Sequence, residues 1–297
     1  MTGEAEGTGT GEAVANRAVE PGERGEVPGP GRFPYRLIAT DLDGTLLRDD
    51  ATVSGRTRAA LDAACARGAA HIVVTGRAVP WTRHILDGLG HRGLAVCGQG
   101  AQVYDAGAGR LLTSVTLDRR LAQLAVAKIE AETGPLVLAA SQDGLEGEVL
   151  IGPGYREQGK GLPAVRCTDV EQLWSAPLNK LYLQHPALGD DELAKAARSA
   201  AGDLVGITMA GENLVEMLPP GLSKAKGLAI AARRLGVTAR EAIAFGDMPN
   251  DVPMLGWAAH GVAMAGAHPE LLAVADEITA SNESDGIALV LERLLAD

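Results

Sequence analysis

Residues 37–46 read LIATDLDGTL, and this stretch decides the fold. Its first four residues are apolar or β-branched, which predicts a short buried strand over residues 37–40. Asp41 and Asp43 follow the strand two residues apart, so their side chains point the same way while the backbone stays extended. Gly44 then permits a sharp departure from the strand. The stretch therefore predicts a strand that carries two carboxylates at its end.

The chain around this strand alternates short apolar runs with helical stretches, which is typical of βαβ units around a parallel sheet. Further strands of this series are predicted at 70–74, 94–97, 242–245 and 261–264, with helices at 55–67, 81–89 and 222–235. Residues 113–210 have a different pattern. It consists of helices at 117–132 and 191–201 and strand-like runs at 148–151 and 180–183. The sequence therefore predicts an α/β fold, a parallel-sheet core into which an α+β unit is inserted.

The length of 297 residues suggests two domains, at roughly 150 residues per domain. The pattern predicts a core domain from residues 33–112 and 211–297, and an inserted domain from residues 113–210. Residues 1–32 contain eight glycines and six glutamates with almost no large apolar side chain. Such a segment buries too little surface to offset the entropy of ordering, so a disordered tail is predicted there.

The composition excludes several classes of partner. The formal net charge is −11 and there is no basic run, which disfavours nucleic acid and anionic membranes. No uncharged apolar stretch approaches the roughly 18 residues that span a bilayer, so no membrane association is expected. The three cysteines (Cys65, Cys97 and Cys167) lack the paired spacings of a disulfide framework or a zinc site, which fits a cytoplasmic protein. The oligomeric state is not predictable from these features.

Polar residues follow three of the predicted strands. They occupy positions 41–45, 75–77 and 246–251, and include the carboxylates of Asp41, Asp43, Asp247 and Asp251. Because ligands bind at the carboxyl ends of parallel strands, we expect these clusters to meet at one sheet edge. Crowded carboxylates repel one another unless a cation lies among them, and oxygen ligands suit Mg²⁺. One carboxylate can then attack an electrophile while another serves the leaving group as a general acid.

Each cluster taken alone has an ordinary structural explanation. Asp and Gly after a strand are common turn residues, and Thr75 or Asn250 can cap a helix. All three clusters together, on one predicted sheet edge, favour a functional site over three unrelated turns.

The motifs resemble those of a known superfamily. Four parts of the chain are similar, in this order, to the four motifs of the haloacid dehalogenase (HAD) superfamily, specifically its Cof-type phosphatases. They are residues 41–46, residues 74–77, Lys224 and residues 246–251. The resemblance covers roughly residues 35–297, and segments 261–264 and 281–286 resemble the closing segments of that subfamily. It implies a Rossmann-like core with a large cap inserted between the second and third motifs.

The resemblance also implies roles for individual residues. Asp41 would be the nucleophile that forms an aspartyl-phosphate, Asp43 the general acid and then base, and Lys224 the cation that neutralises the phosphate. The implied Mg²⁺ ligands are Asp41, the backbone carbonyl of Asp43, and Asp247. Asp251 would contact these groups rather than the ion. The implied phosphate contacts are the Leu42 backbone amide, Thr75, Gly76 and Asn250.

Two positions depart from the family pattern. The family pattern has a lysine followed directly by a glycine, and a second glycine twelve residues after the lysine. Lys224 has the second glycine, Gly236, but Ala225 replaces the first. We therefore expect Lys224 in the site and Lys226 in solvent. Where the subfamily has an Asn-Gly-Ala turn, this chain has Gln99, and the sequence leaves the role of Gln99 open.

The predicted function is hydrolysis of a small phosphate ester by a Mg²⁺-dependent phosphatase, through an aspartyl-phosphate. A sugar phosphate or a similar metabolite would be the substrate. A phosphomutase on the same core and a non-catalytic phosphometabolite-binding protein are the alternatives.

Overall fold

The structure is a computed structural model that describes residues 32–156, 163–211 and 213–296. The predicted disordered tail at residues 1–32 lies outside the described residues, apart from Arg32. The strands are, in chain order, β1 (Leu37–Thr40), β2 (Ala70–Val74), β3 (Leu94–Cys97), β4 (Gln102–Asp105), β5 (Arg110–Ser114), β6 (Val137–Gln142), β7 (Val149–Ile151), β8 (Val165–Arg166), β9 (Leu178–Gln184), β10 (Gly206–Met209), β11 (Val215–Leu218), β12 (Ala242–Gly246), β13 (His260–Ala263) and β14 (Glu277–Ile278).

Seven α-helices of the described residues lie between these strands, and an eighth follows β14. They are α1 (Gly55–Ala66), α2 (Val79–Leu89), α3 (Arg119–Thr133), α4 (Asp190–Ala201), α5 (Lys224–Arg234), α6 (Val252–Trp257), α7 (Pro269–Leu272) and α8 (Gly286–Ala296). The predicted strands and helices of the βα series are all present with shifts of a few residues at their ends. The α/β fold class is therefore confirmed.

The strands form two sheets. The core sheet has the order β14-β13-β12-β1-β2-β3-β4-β5. Its pairs from β14 to β3 are parallel, and β4 and β5 add an antiparallel edge. The inserted sheet has the order β10-β11-β9-β6-β7-β8 and is antiparallel except for the pair of β7 with β8.

The core sheet is covered on both faces. Every residue of β1 is buried, because successive side chains alternate between two apolar clusters. Ile38 packs in the cluster that holds Leu61 of α1 and Leu291 of α8. Leu37 and Ala39 point to the opposite cluster, which includes residues of α5 and α6. This double coverage explains why the first strand is a continuous apolar run.

The two faces of the inserted sheet have different neighbours. Leu181 and Leu183 of β9 pack against α3 and α4 in an apolar cluster of their own. Lys180 and Tyr182, which alternate with them along the strand, point to the other face and line a cavity that also borders core residues. The inserted sheet therefore lies over the core with the face that carries Lys180 and Tyr182 inward.

The strand pairing differs from the predicted domain boundaries at 112 and 210. Strand β5 continues the core sheet to Ser114, and β11 belongs to the inserted sheet up to Leu218. The reason is a hairpin, since β10 pairs antiparallel with β11 from Gly206↔Leu218 to Met209↔Val215. We therefore propose residues 115–218 as the inserted unit. Within the described ranges, no helix combines the length and the apolar character needed to cross a bilayer.

Candidate active site

The candidate site lies where three neighbouring strands of the core sheet end. Strands β12, β1 and β2 are adjacent, and their last residues are Gly246, Thr40 and Val74. The Asp41 amide donates to the Phe245 carbonyl at 3.0 Å, so the β1 ladder continues to the first aspartate. The carboxyl ends of these strands thus bring together segments that are far apart in the sequence, as the parallel-sheet pattern predicts.

Lys224 is the cation at the centre of the site. It begins α5, which the Ser223 side chain caps, and its side chain is 2% exposed. Its Nζ donates to Asp41 Oδ1 at 2.6 Å and to Asp251 Oδ1 at 2.7 Å. Burial alone would lower the pKa of Lys224, but the two carboxylates raise it above its usual value. The ammonium therefore stays charged against Asp41, whereas Lys226 is exposed.

Asp251 ties this centre to the loop after β12. It is fully buried, and its Oδ2 accepts the backbone N–H groups of Asp247 at 3.2 Å and Met248 at 3.1 Å. A Cβ at Gly246 would lie 2.6 Å from the Asp251 Cβ, so the glycine leaves the space that this carboxylate fills. Both oxygens of Asp251 are engaged by protein groups, which suits a residue that orients the site.

Carboxylates crowd around the same point. Ligand oxygens of Asp41, Asp247 and Asp251 all lie within 4.8 Å of one another. Burial and the nearby Asp251 raise the pKa of Asp247 to about 6, although Thr45 and Lys224 oppose the rise. A divalent cation among these oxygens would favour their charged forms. The donor set is all oxygen, as a hard cation such as Mg²⁺, Mn²⁺ or Ca²⁺ prefers.

Gly44 leaves room for one carboxylate oxygen of Asp247. Thr45 Oγ1 donates to Asp247 Oδ1 at 2.9 Å, which leaves Oδ2 facing Gly44. A Cβ on Gly44 would overlap that Oδ2, and the backbone there has a left-handed φ of 74°. The turn thus holds Asp247 by one oxygen, and the absence of a Cβ at Gly44 leaves the space that the other oxygen occupies beside Asp41 and Asp251, which fits an oxygen ligand for a cation.

Gly44→Ala tests this arrangement. We expect divalent-cation binding to weaken by at least about tenfold in isothermal titration calorimetry, because the new Cβ displaces Asp247. Gly90→Ala is the matched control, since Gly90 is also left-handed, with φ 67°, but a Cβ added there would have no neighbouring atom within 4 Å. Both variants should lose about 1 kcal/mol of stability. Equal cation affinity in the two variants would contradict the steric role of Gly44.

Asp43 and Arg77 form a pair at the mouth of the site. Arg77 Nε donates to Asp43 Oδ2 at 2.8 Å and Nη2 donates to Oδ1 at 2.5 Å, and the Asp43 side chain is 53% exposed. Asp41 is only 5% exposed, so the two aspartates of the first motif occupy different environments. The sequence gives Arg77 no role, and its bidentate hold on Asp43 is a feature that the structure adds.

A cavity of about 720 Å³ connects these groups. Its lining includes Asp41, Asp43 and Lys224 from the core and Lys180 and Glu216 from the inserted sheet. Of the four predicted phosphate contacts, Gly76 and Asn250 line this cavity, while Leu42 and Thr75 are buried in the adjoining turns.

Two buried polar residues, Lys180 and Glu216, were missed as members of the site, and a third, Gln99, was noted with its role left open. Lys180 and Glu216 form a buried ion pair, and Gln99 donates to Glu216. The signal for the ion pair in the sequence was a charged residue inside an otherwise apolar strand, as in LNKLYLQ and VEML. Charged side chains are seldom fully buried unless paired, so such interruptions indicate a partner.

The comparison with known families gives the site its context. A family model described as haloacid dehalogenase-like hydrolase matches residues 38–291. The chain belongs to this family. The resemblance to the HAD superfamily, and to its Cof-type branch, is therefore confirmed.

Two proteins of similar sequence illustrate the relatives of this HAD chain. An HMP-PP phosphatase of Enterobacter sp. (strain 638) is 28% identical over 249 residues, which are 80% of this chain and 87% of that protein. The endoribonuclease YBEY, chloroplastic, of Arabidopsis thaliana is 30% identical over 288 residues, or 88% of this chain. The match covers 46% of that longer protein, so this HAD chain spans about half of its length.

Solved structures share the HAD fold. SMU.1108c from Streptococcus mutans UA159 superposes with a TM-score of 0.76 at 22% sequence identity. The superposition covers 89% of this chain and 100% of that structure. The fold of this chain is thus shared, over most of its length, with that solved structure.

Proposed function

We propose that the protein is a Mg²⁺-dependent phosphatase that hydrolyses a small phosphorylated metabolite through a phosphoaspartate on Asp41. The observation that carries this proposal is the buried contact of Asp41 with Lys224, beside Asp247 and at the floor of a cavity. A relative whose length is 87% covered by the match is named a phosphatase, which supports the same reaction class.

Asp41 is the nucleophile in this proposal. Its carboxylate oxygen attacks the phosphorus atom, and the bond from phosphorus to the ester oxygen breaks. Lys224 offsets negative charge at the reacting centre, because its ammonium lies within hydrogen-bond distance of Asp41. Gly76 and Asn250 contact the phosphate from the turns after β2 and β12, which line the same cavity. With Leu42 and Thr75, they form the phosphate-binding set.

Asp43 is the general acid in the first step and the general base in the second. As an acid it gives a proton to the departing ester oxygen. As a base it takes a proton from the water that attacks the phosphoaspartate, which breaks the bond between phosphorus and the Asp41 oxygen and releases inorganic phosphate. Arg77 holds the Asp43 carboxylate in this structure and lines the same cavity. Asp43 therefore has to leave Arg77 to act, and an incoming anionic phosphate offers Arg77 a substitute partner.

The residues that would hold Mg²⁺ are Asp41, the backbone carbonyl of Asp43, and Asp247. When bound, the ion supplies positive charge that stabilises the transferring phosphoryl group. Asp251 orients the site, since Lys224 and two backbone amides already engage its oxygens. The inserted unit lies over the cavity through Lys180 and Glu216, so we propose that it acts as a cap that excludes bulk water and selects the leaving group.

The test is phosphate release from an aryl phosphate with and without Mg²⁺. We expect turnover that EDTA abolishes and that added Mg²⁺ restores, because the crowded carboxylates need a cation to act together. An inert protein, or one equally active in EDTA, would overturn the proposal. A panel of phosphorylated metabolites then identifies the substrate class. Transfer between sugar positions without release of inorganic phosphate would indicate a mutase.

A further inference from the structure

Gln99 holds an unusual position in the turn Gly98–Gly100, between β3 and β4. Its side chain is buried, and its backbone has a left-handed φ of 60°. Residues with a Cβ adopt this conformation reluctantly, and glutamine gains none of the local hydrogen bonds that favour asparagine there. A conformation of this kind persists where surrounding contacts hold it. The contacts of the Gln99 amide are therefore informative.

Both ends of the Gln99 amide are used. Nε2 donates to Glu216 Oε2 at 2.6 Å, and Oε1 accepts from Asn250 Nδ2 at 3.1 Å. A carboxylate only accepts hydrogen bonds, so the Gln99 nitrogen has to face Glu216 and its oxygen has to face Asn250. The orientation of the Asn250 amide follows from that of Gln99. One side chain thus links the inserted sheet to the loop after β12.

The other carboxylate oxygen of Glu216 contacts Lys180 of the inserted sheet, and Lys180 in turn contacts the core. Glu216 Oε1 accepts from Lys180 Nζ, which also donates to the Gly76 carbonyl at 2.7 Å. Both members of this ion pair are 1% exposed. A Cβ at Gly76 would lie 2.5 Å from Gln99 Nε2, so the glycine leaves room for the amide. The ion pair therefore contacts the turns after β2 and after β3.

Asn250 is the end of this chain of contacts that reaches the cavity. Its side chain is 6% exposed and lines the cavity that Asp41 and Lys224 also line. Its nitrogen is held by Gln99, while its Oδ1 is buried without a hydrogen-bond partner among the described residues. Buried amide oxygens are normally paired, so this end of the amide is set to receive a donor.

We propose that Gln99 is a positioning residue that orients the Asn250 amide toward the phosphate site and ties it to the Lys180–Glu216 pair, so that docking of the inserted sheet completes the site. This inference rests on the proposed function. When the inserted sheet moves away from the core, Glu216 leaves Gln99, whose amide is then free to rotate. Asn250 loses its fixed orientation at the same time.

The first test is a double-mutant cycle on kcat with an aryl phosphate and Mg²⁺. We expect Gln99→Met, which keeps the length and removes the amide, to lower kcat about tenfold to a hundredfold with a smaller change in KM. In an Asn250→Ala background the same change should lower kcat less than about threefold, because Gln99 acts through Asn250. Additive effects, or full activity of Gln99→Met, would overturn the proposal.

Gln102→Met is the matched control. Gln102 is also a fully buried core glutamine, and its Nε2 donates to Asp143 Oδ1 of the inserted unit at 3.2 Å. We expect this variant to keep wild-type kcat, because it lacks a contact with Asn250. A loss equal to that of Gln99→Met would show that any weakened contact with the inserted unit has the same effect, which contradicts a specific role for Gln99.

Gln99→Asn separates positioning from folding. Asparagine is more favourable than glutamine at a left-handed position, which offsets part of the stability lost with the Glu216 contact, so the thermal midpoint should fall less than in Gln99→Met. Its amide is one carbon shorter and cannot bridge Glu216 and Asn250 together, so we expect kcat to fall at least about fivefold. Wild-type kcat in this variant would overturn the proposal.

Hydrogen exchange provides a readout that needs no turnover. We expect Gln99→Met, but not Gln102→Met, to speed amide exchange at residues 98–101 and in β11, because the Gln99–Glu216 contact is lost. Unchanged exchange at both places would overturn the proposed link. A wild type without phosphatase activity would instead overturn the proposed function, and the exchange result would still decide whether Gln99 joins the inserted sheet to the core.

Discussion

Asp41→Asn should lower kcat for phosphate release at least about a thousandfold, because a carboxamide cannot form the phosphoaspartate. The substitution keeps the size of the side chain and removes its charge. Since Asp41 is buried among Asp247 and Asp251, the loss of one negative charge relieves repulsion even as it weakens the contact with Lys224. We therefore expect a thermal midpoint close to that of the wild type.

The measurement is kcat together with a rapid-quench assay for acid-stable phosphate on the protein. Wild type should show transient phosphoprotein, Asp43→Asn should form it and hydrolyse it slowly, and Asp41→Asn should form none. Asp62→Asn, on the exposed side of α1, is the control for the same chemical change outside the site. Substantial turnover by Asp41→Asn would show that another group is the nucleophile.

Lys224→Ala should be the most damaging change to both activity and stability. It removes the ammonium that lies 2.6 Å from Asp41 and 2.7 Å from Asp251 and leaves two carboxylates buried without it. Breaking a buried ion pair in this way costs about 3–5 kcal/mol. Lys226→Ala alters an exposed side chain two residues later, so its effect should stay within about 0.5 kcal/mol.

Urea denaturation and kcat, each measured for both lysine variants, check this prediction. Lys224→Met keeps most of the side-chain volume, and we expect it to lose nearly as much activity as Lys224→Ala because the missing charge is the cause. The reverse order of the two lysines would place the functional cation at Lys226. Equal, small effects would mean that neither lysine neutralises the reacting centre.

The arrangement around Asp41 was predictable because it depends on local patterns and one topological rule. An apolar run followed by acidic residues predicts a strand end, and adjacent parallel strands bring their ends together. The structure brings the carboxylates of Asp41, Asp247 and Asp251 together as this rule requires. Lys224, which the family resemblance indicated, contacts Asp41 and Asp251. Lys224 could be chosen over Lys226 because Gly236 lies twelve residues after Lys224, as the family pattern requires.

Contacts across the two sheets were not predictable in the same way. The bonds of Gln99 to Glu216 and of Lys180 to the Gly76 carbonyl depend on how the inserted sheet sits on the core. No local pattern encodes that placement. The hairpin of β10 and β11 spans the predicted boundary at residue 210, and no change of composition marks the end of that hairpin.

The position of β1 in the core sheet has a consequence for biosynthesis. Leu37 of β1 pairs with Ala70 of β2 on one side and with Ala242 of β12 on the other. At about 5–20 residues per second, β12 leaves the ribosome about 10–40 s after β1. During that interval the nascent chain exposes an unpaired β1 edge while the whole inserted unit emerges and can fold. The carboxylates of Asp41 and Asp247 can meet only after β12 has emerged, so a product truncated before β12 would hold the proposed nucleophile without the rest of the proposed site.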